Sequence, residues 1–152
     1  MGKEMTIEPI IIYTDGSCDS NPGPGGWAAL IIQDGEEKML CGSSAASTNN
    51  RMELKAAIDA LKSISIRKPI ILYTDSQYLK KGVTEWMENW KLRNWKRKGG
   101  KLANVDLWKE LSRETERHSI EWQWVKAHAG HKYNEQVDRK ARQLAFSVTK
   151  KR

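Results

Sequence analysis

Two hydrophobic periods share this chain, and their order predicts its architecture. Residues 10–14 form a β-branched apolar run closed by Asp15-Gly16, a turn signal, and predict a strand. A rigid loop, Asn21-Pro22-Gly23-Pro24-Gly25-Gly26, leads into a second strand at 27–32. Gln33-Asp34-Gly35-Glu36 reads as the hairpin turn into a third strand at 38–42. The period then lengthens: Leu54, Ala57, Ile58 and Leu61 stand at i, i+3, i+4 and i+7, the stripe of a helix over 50–64. Residues 69–74 predict a fourth strand, and 76 to about 91 a helical stretch broken at Gly82. The Lys98-Gly99-Gly100-Lys101 loop precedes a helix at 105–116. In residues 119–125, Ile120, Trp122 and Trp124 alternate onto one face of a strand. A last helix begins near Asn134, with Val137, Ala141, Leu144, Ala145 and Val148 on its buried face, and residues 149–152 are expected to fray. Strands first, then helices alternating with strands, predict one α/β domain over residues 1–152: a mixed sheet covered by helices, with its core at about 10–146.

The pattern contains an internal echo. Tyr13-Thr14-Asp15 and Tyr73-Thr74-Asp75 both end isoleucine-rich strands. With a side-chain period of two, Asp15 shares a face with Ile11 and Tyr13, and Asp75 with Ile71 and Tyr73. On neighbouring strands the two carboxylates leave the same sheet end about 4.8 Å apart. Like charges that close are costly without a cation between them, and hard divalent ions with oxygen ligands, Mg²⁺ above all, supply one. The alternative gives the acids separate duties, Asp15 in an Asp-Gly turn and Asp75 capping the next helix. Glu53 borders the buried stripe of the 50–64 helix, where it is also placed to pair with Asn50 in a capping box. Asp138 follows core-facing Val137 near the start of the last helix, a position that also suits the helix dipole. His128, in the Lys126–His131 loop, is of a type that carries protons near neutral pH.

Charge narrows the partner. The chain has 26 Lys+Arg against 19 Asp+Glu, a net +7. Residues 80–101 hold eight basic side chains, Lys91, Lys96, Arg97 and Lys98 among them, against Glu85 and Glu88, so nearly all the surplus lies there. The same stretch carries Trp86, Trp90 and Trp95. Basic groups release counterions from phosphates and flat aromatics pack on sugars or bases, which favours a nucleic-acid handle over a solvated helix with core-facing tryptophans. Cys18 and Cys41 make no disulfide framework or zinc spacing. No apolar run nears the ~20 residues of a membrane helix, and the first nine residues lack signal-peptide character, so a cytoplasmic protein without membrane contact is expected.

These segments together resemble a type 1 ribonuclease H of the bacterial, single-catalytic-domain kind. The resemblance is carried in order by Tyr-Thr-Asp-Gly-Ser-Cys with Asn-Pro-Gly-Pro-Gly-Gly, Thr-Asn-Asn-Arg-Met-Glu-Leu, Thr-Asp-Ser-Gln-Tyr, Trp-Lys-Arg-Lys, Asn-Val-Asp-Leu-Trp and Trp-Val-Lys-Ala-His-Ala-Gly-His. It implies a mixed five-stranded sheet flanked by helices, with residues 80–101 as a basic helical protrusion. It also implies an endonuclease hydrolysing the RNA strand of RNA–DNA hybrids to 5′-phosphate and 3′-hydroxyl ends, and a monomer. Asp15, Glu53, Asp75 and Asp138 would bind two Mg²⁺ ions, or Mn²⁺ in their place, with His128 assisting proton movement or product release. Cys18, Asn21, Asn49 and Gln77 fall where the family reads RNA 2′-hydroxyls, a donor-and-acceptor group that amides suit, and Asn50 beside them is a further expected substrate-binding residue. Tyr78, Trp86 and Trp90 would meet the DNA strand, Thr48 and Asn104 match a DNA-phosphate pocket, and Lys91, Lys96, Arg97 and Lys98 of the handle are expected to bind substrate. The chain departs from the family at Ala46, where relatives place an arginine in that pocket, and at Ala127, where glycine is usual. No separate hybrid-binding module is expected before the catalytic one. The rival reading, a non-catalytic hybrid- or DNA-binding module, leaves four acids beside phosphate without a use.

Overall fold

A computed structural model describes residues 8–97, 99–127 and 130–150, with Thr149 and Lys150 described by backbone alone. Its sheet has the order β3-β2-β1-β4-β5, formed by Ile10–Cys18 (β1), Gly23–Gln33 (β2), Glu36–Ser47 (β3), Ile70–Thr74 (β4) and Ile120–Trp124 (β5). The first three strands form an antiparallel meander, and β4 and β5 join parallel to β1. The mixed five-stranded sheet is the one expected.

One face of the sheet carries α1 (Asn49–Lys62), which lays Leu54, Ala57, Ile58 and Leu61, all fully buried, over Ile10, Ile12, Ile70 and Leu72. Helix α4 (Val105–Arg117) packs on α1 through Leu107, Trp108 and Leu111. The other face takes α5 (Lys132–Lys150) across β1 and β2, with Val137, Ala141 and Ala145 buried. Gly26 lets that helix settle on the backbone: a Cβ there would stand 2.3 Å from the Ala141 carbonyl oxygen.

Several boundaries differ from the sequence expectation. Strand β1 continues through Asp15-Gly16 to Cys18, and Gly25 and Gly26 pair with it as part of β2 rather than forming a loop. These glycines are strand residues because other groups press on them: a Cβ on Gly25 would meet Met52 Cγ at 2.8 Å. Gly82 does not end the helical stretch. It opens a π-helical turn, Gly82–Trp86, between α2 (Gln77–Lys81) and α3 (Met87–Leu92). Glycine is required there because the Trp108 indole occupies the Cβ position, with Cη2 1.9 Å from it. Helix α5 starts at Lys132 and holds through Lys150, two residues into the stretch expected to fray.

Candidate metal and nucleic-acid site

The strand pairing settles where Asp15 and Asp75 go. β1 and β4 run parallel in the register Tyr13↔Tyr73 and Thr14↔Thr74, so the two acids leave adjacent strands at the same end. Neither does the duty its local context offered. Asp15 accepts the Gly16 N–H at 2.8 Å within a continuing strand, not a turn. Ser76, not Asp75, caps α2, its hydroxyl accepting the Leu79 N–H at 3.1 Å.

Glu53 joins them from α1. The helix begins one residue earlier than expected, with Thr48 as its N-cap accepting the Arg51 N–H at 3.2 Å. Glu53 is therefore in the second turn and has no capping-box role with Asn50, which is exposed. Gly16 makes the approach possible, since a Cβ there would stand 2.4 Å from the Glu53 backbone nitrogen. Oxygens of Asp15, Glu53 and Asp75 all lie within 4.8 Å of one another.

All three carboxyls are held above the ordinary carboxylate range. Burial is the main cause for Asp15, reinforced by the Glu53 charge and a hydrogen bond with Glu53. Burial raises Glu53 too, against hydrogen bonds from Asp15, the Gly16 backbone and Ser76. Asp75 is raised by burial and by the Asp138 charge, and lowered by hydrogen bonds with Asp15 and Asn134. Glu53 Oε1 is buried with no hydrogen-bond partner among the described residues, as is Asn134 Oδ1. Natural interiors rarely leave such oxygens unpaired. Three clustered carboxylates with an orphaned oxygen form an all-oxygen, negative donor set, which fits a hard divalent cation.

Asp138 lies close enough to raise Asp75 and to hydrogen-bond Asp15, yet it also forms an ion pair with Arg142, Oδ2 to Nη2 at 2.8 Å. It stands nearly two turns into α5, beyond the reach of the helix N-terminal charge that its sequence position suggested. His128 and Lys98 lie outside the described residues. Asn134, fully buried against Asp75, was not singled out from the sequence; its only signal was a place in the first turn of the helix carrying Asp138.

Beside the acids, Cys18 donates its N–H to Asn49 Oδ1 at 2.7 Å, and Asn49 donates its own N–H to Asn21 Oδ1 at 3.1 Å. These three residues, 31 positions apart at the extremes, form one polar row at the surface. Gln77 is exposed at the first position of α2.

A second group lies where α1, α2 and α4 meet. Tyr78 Oη accepts from Asn104 Nδ2 at 3.0 Å and from Trp108 Nε1 at 2.9 Å. Asn104, in the left-handed region at φ 60°, accepts from Arg51, which also forks onto Asp106 at 2.8 and 3.0 Å. Arg51 stands next to the Thr48–Asn104 pair and was not singled out from the sequence either. Ala46, exposed at the end of β3, adds no charge there.

In the protrusion, Trp86 and Trp90 satisfy parts of both readings. They close a ring of four aromatics with Tyr78 and Trp108, with centroid separations of 5.1–6.1 Å, yet both remain half-buried. Lys96 and Arg97 are exposed. Lys91 is less free than expected, shared between Glu88 and Glu116 at 3.4 Å each.

A family model for RNase H matches residues 8–146. The chain belongs to the ribonuclease H family. It is 54% identical to the ribonuclease H of Xanthomonas campestris pv. campestris (strain 8004) over 142 residues, covering 93% of this chain and 95% of that one. It is 50% identical to the ribonuclease H of Hahella chejuensis (strain KCTC 2396), covering 87% and 90%. Among solved structures, LC9-RNase H1, a type 1 RNase H with the type 2 active-site motif, superposes with a TM-score of 0.84 at 34% identity, covering 96% of this chain and 76% of that one. LC11-RNase H1, solved in complex with RNA/DNA hybrid, shares the fold at a TM-score of 0.68 and 17% identity, covering 92% of this chain and 99% of that one. This ribonuclease H-family chain is thus an enzyme whose fold and acid cluster agree. No helix among the described residues is long and apolar enough to cross a membrane.

Proposed function

We propose that the protein is a divalent-metal-dependent endonuclease that hydrolyses the RNA strand of RNA–DNA hybrids, leaving 5′-phosphate and 3′-hydroxyl ends. The observation that carries the reading is the convergence of Asp15, Glu53 and Asp75, one of them with an orphaned buried oxygen, in a chain of this family. Asp15, Glu53 and Asp75 would hold Mg²⁺ or Mn²⁺, with Asp138 at their side. When bound, such ions activate water and neutralise charge on the phosphate undergoing attack.

The chain's own residues do the rest. Two strand ends and helix α1 hold Asp15, Asp75 and Glu53 as a fixed donor set, so little reorganisation accompanies metal capture. Asn134 orients Asp75. The row of Cys18, Asn49 and Asn21 presents amide and backbone groups to the minor groove, where only the RNA strand offers 2′-hydroxyls. Thr48, Asn104 and Arg51 would take a phosphate of the DNA strand, and Tyr78, Trp86 and Trp90 its sugars. Lys96 and Arg97 add long-range attraction for the duplex, while Lys91 is partly neutralised by its acidic partners. His128 would relay protons or ease product release.

The test is a panel of end-labelled substrates in Mg²⁺: RNA–DNA hybrid, single-stranded RNA, duplex RNA and duplex DNA. Cleavage confined to the RNA strand of the hybrid is expected. Equal cleavage of duplex DNA would mean that the 2′-hydroxyl is not what the polar row recognises.

A further inference from the structure

We propose that Phe146 and the cavity it walls seat a nucleotide of the RNA strand beside the cut. The inference rests on the hybrid-nuclease reading and extends it to a residue that reading does not use.

Phe146 is the only phenylalanine of the chain, and it is 60% exposed on α5. Its ring lines a cavity with Ala145, Arg142, Ser17, Cys18 and Asp19, of about 230 Å³. That is smaller than the roughly 300–1,000 Å³ of pockets that hold a free small molecule. It suits one unit of a strand already anchored elsewhere.

The cavity is continuous with both parts of the proposed site. Cys18 belongs to it and to the polar row with Asn49 and Asn21. Arg142 belongs to it and pairs with Asp138. A strand lying along the polar row and over the acids therefore passes this wall, which offers a flat apolar ring, a guanidinium and a serine hydroxyl. The ring complements a base or ribose face and the hydroxyl a sugar, while the guanidinium is shared with Asp138 and Asp19 adds a carboxylate to the lining. The helix segment that carries the ring is held in place, because α5 rests on the β2 backbone at Gly26, with Ala141 and Ala145 against it. A pre-positioned aromatic loses little freedom on stacking.

The experiment titrates labelled hybrid with protein in EDTA at low salt, using the unsubstituted chain, Phe146→Ala and Phe146→Trp. Single abasic residues are stepped along the RNA strand and, separately, the DNA strand. Phe146→Ala is expected to raise Kd about 5- to 10-fold, the lower end for one missing base stack, and Phe146→Trp to restore it. One abasic RNA position should cost the unsubstituted chain the same amount and cost Phe146→Ala nothing more. An unchanged Kd in Phe146→Ala overturns the proposal, and so does a loss that couples to no RNA position or to a DNA position instead. Hybrid cleavage by the unsubstituted chain is scored separately, so the nuclease reading survives or fails on its own result.

Discussion

Tyr13 and Tyr73 are register partners on parallel strands, and their rings stack with centroids 4.6 Å apart and planes 10° from parallel. Two residues further on, the same register delivers Asp15 and Asp75 to one end of the sheet, where Glu53 meets them. The metal-free protein thus crowds three carboxyls that ionise only at a cost, one tolerated where function needs it.

Relieving that cost should stabilise the protein and stop its chemistry. Asp15→Asn keeps an oxygen for the Gly16 N–H but removes a carboxyl that burial and the neighbouring Glu53 charge make costly to ionise. The metal-free variant should gain on the order of 1–2 kcal/mol, a Tm rise of a few degrees. Hybrid turnover should fall to background while hybrid binding persists. Differential scanning calorimetry in EDTA and a single-turnover cleavage assay check both halves. Normal turnover would remove Asp15 from the metal site.

The raised carboxyl groups also set a pH dependence. Asp15, Glu53 and Asp75 bind protons in the folded state at pH values where they have lost them unfolded. Stability from these groups is complete below the ordinary carboxylate range and declines as pH rises through their raised folded values. Chemical denaturation in EDTA should therefore show stability falling from about pH 5 upward, and Mg²⁺ should flatten the fall by replacing the protons. A metal-free protein that grows more stable over that range would mean that these carboxyls are not raised by their burial.

Gly82→Ala tests the π-turn. The added methyl would stand 1.9 Å from Trp108 Cη2, inside a fully buried ring. Overpacking of this kind costs about 1–3 kcal/mol. Urea titration measures it. Because Trp108 is tied to Tyr78, and Tyr78 to Asn104, the variant should also weaken hybrid binding.

The handle divides into free and engaged charge. Replacing Lys96 and Arg97 by Ala should lower the slope of log K against log salt by roughly 2, at about 0.9 for each phosphate no longer neutralised. Lys91→Ala should change it by less, since Glu88 and Glu116 already hold Lys91. Fluorescence anisotropy with hybrid at about 50–200 mM salt gives both slopes. An equal effect at Lys91 would mean its acidic partners release it on binding.

The sequence made legible whatever depends on short-range periodicity. The twin Tyr-Thr-Asp strand ends displayed the acid pair because side chains alternate every two residues and the strands carry matching sequences. The stripe of α1 likewise showed which side of that helix Glu53 borders. Hidden were the features decided by groups distant in sequence. Gly25 and Gly26 look like loop residues until Met52 and α5 are seen against them, and Gly82 looks like a helix break until Trp108 fills its side. Asn134 and Arg51 carried no pattern of their own; their roles arise from neighbours 59 and 53 positions away, Asp75 and Asn104. The resemblance to ribonuclease H reached the acids directly, but it could not show that Asp138 pairs with Arg142.

If the buried acids exist to hold divalent cations that cut RNA paired to DNA, both the cation and the product ends must bear it out. Single-turnover cleavage of a hybrid labelled on its RNA strand, in Mg²⁺ and in EDTA, reads both, with the product ends identified by phosphatase and kinase treatment. Cleavage only in Mg²⁺, with 5′-phosphate and 3′-hydroxyl ends, is the expected result. Cleavage that persists in EDTA, or products ending in 2′,3′-cyclic phosphate, would contradict it, because the RNA 2′-hydroxyl would then be the nucleophile and the acids would have no cation to hold.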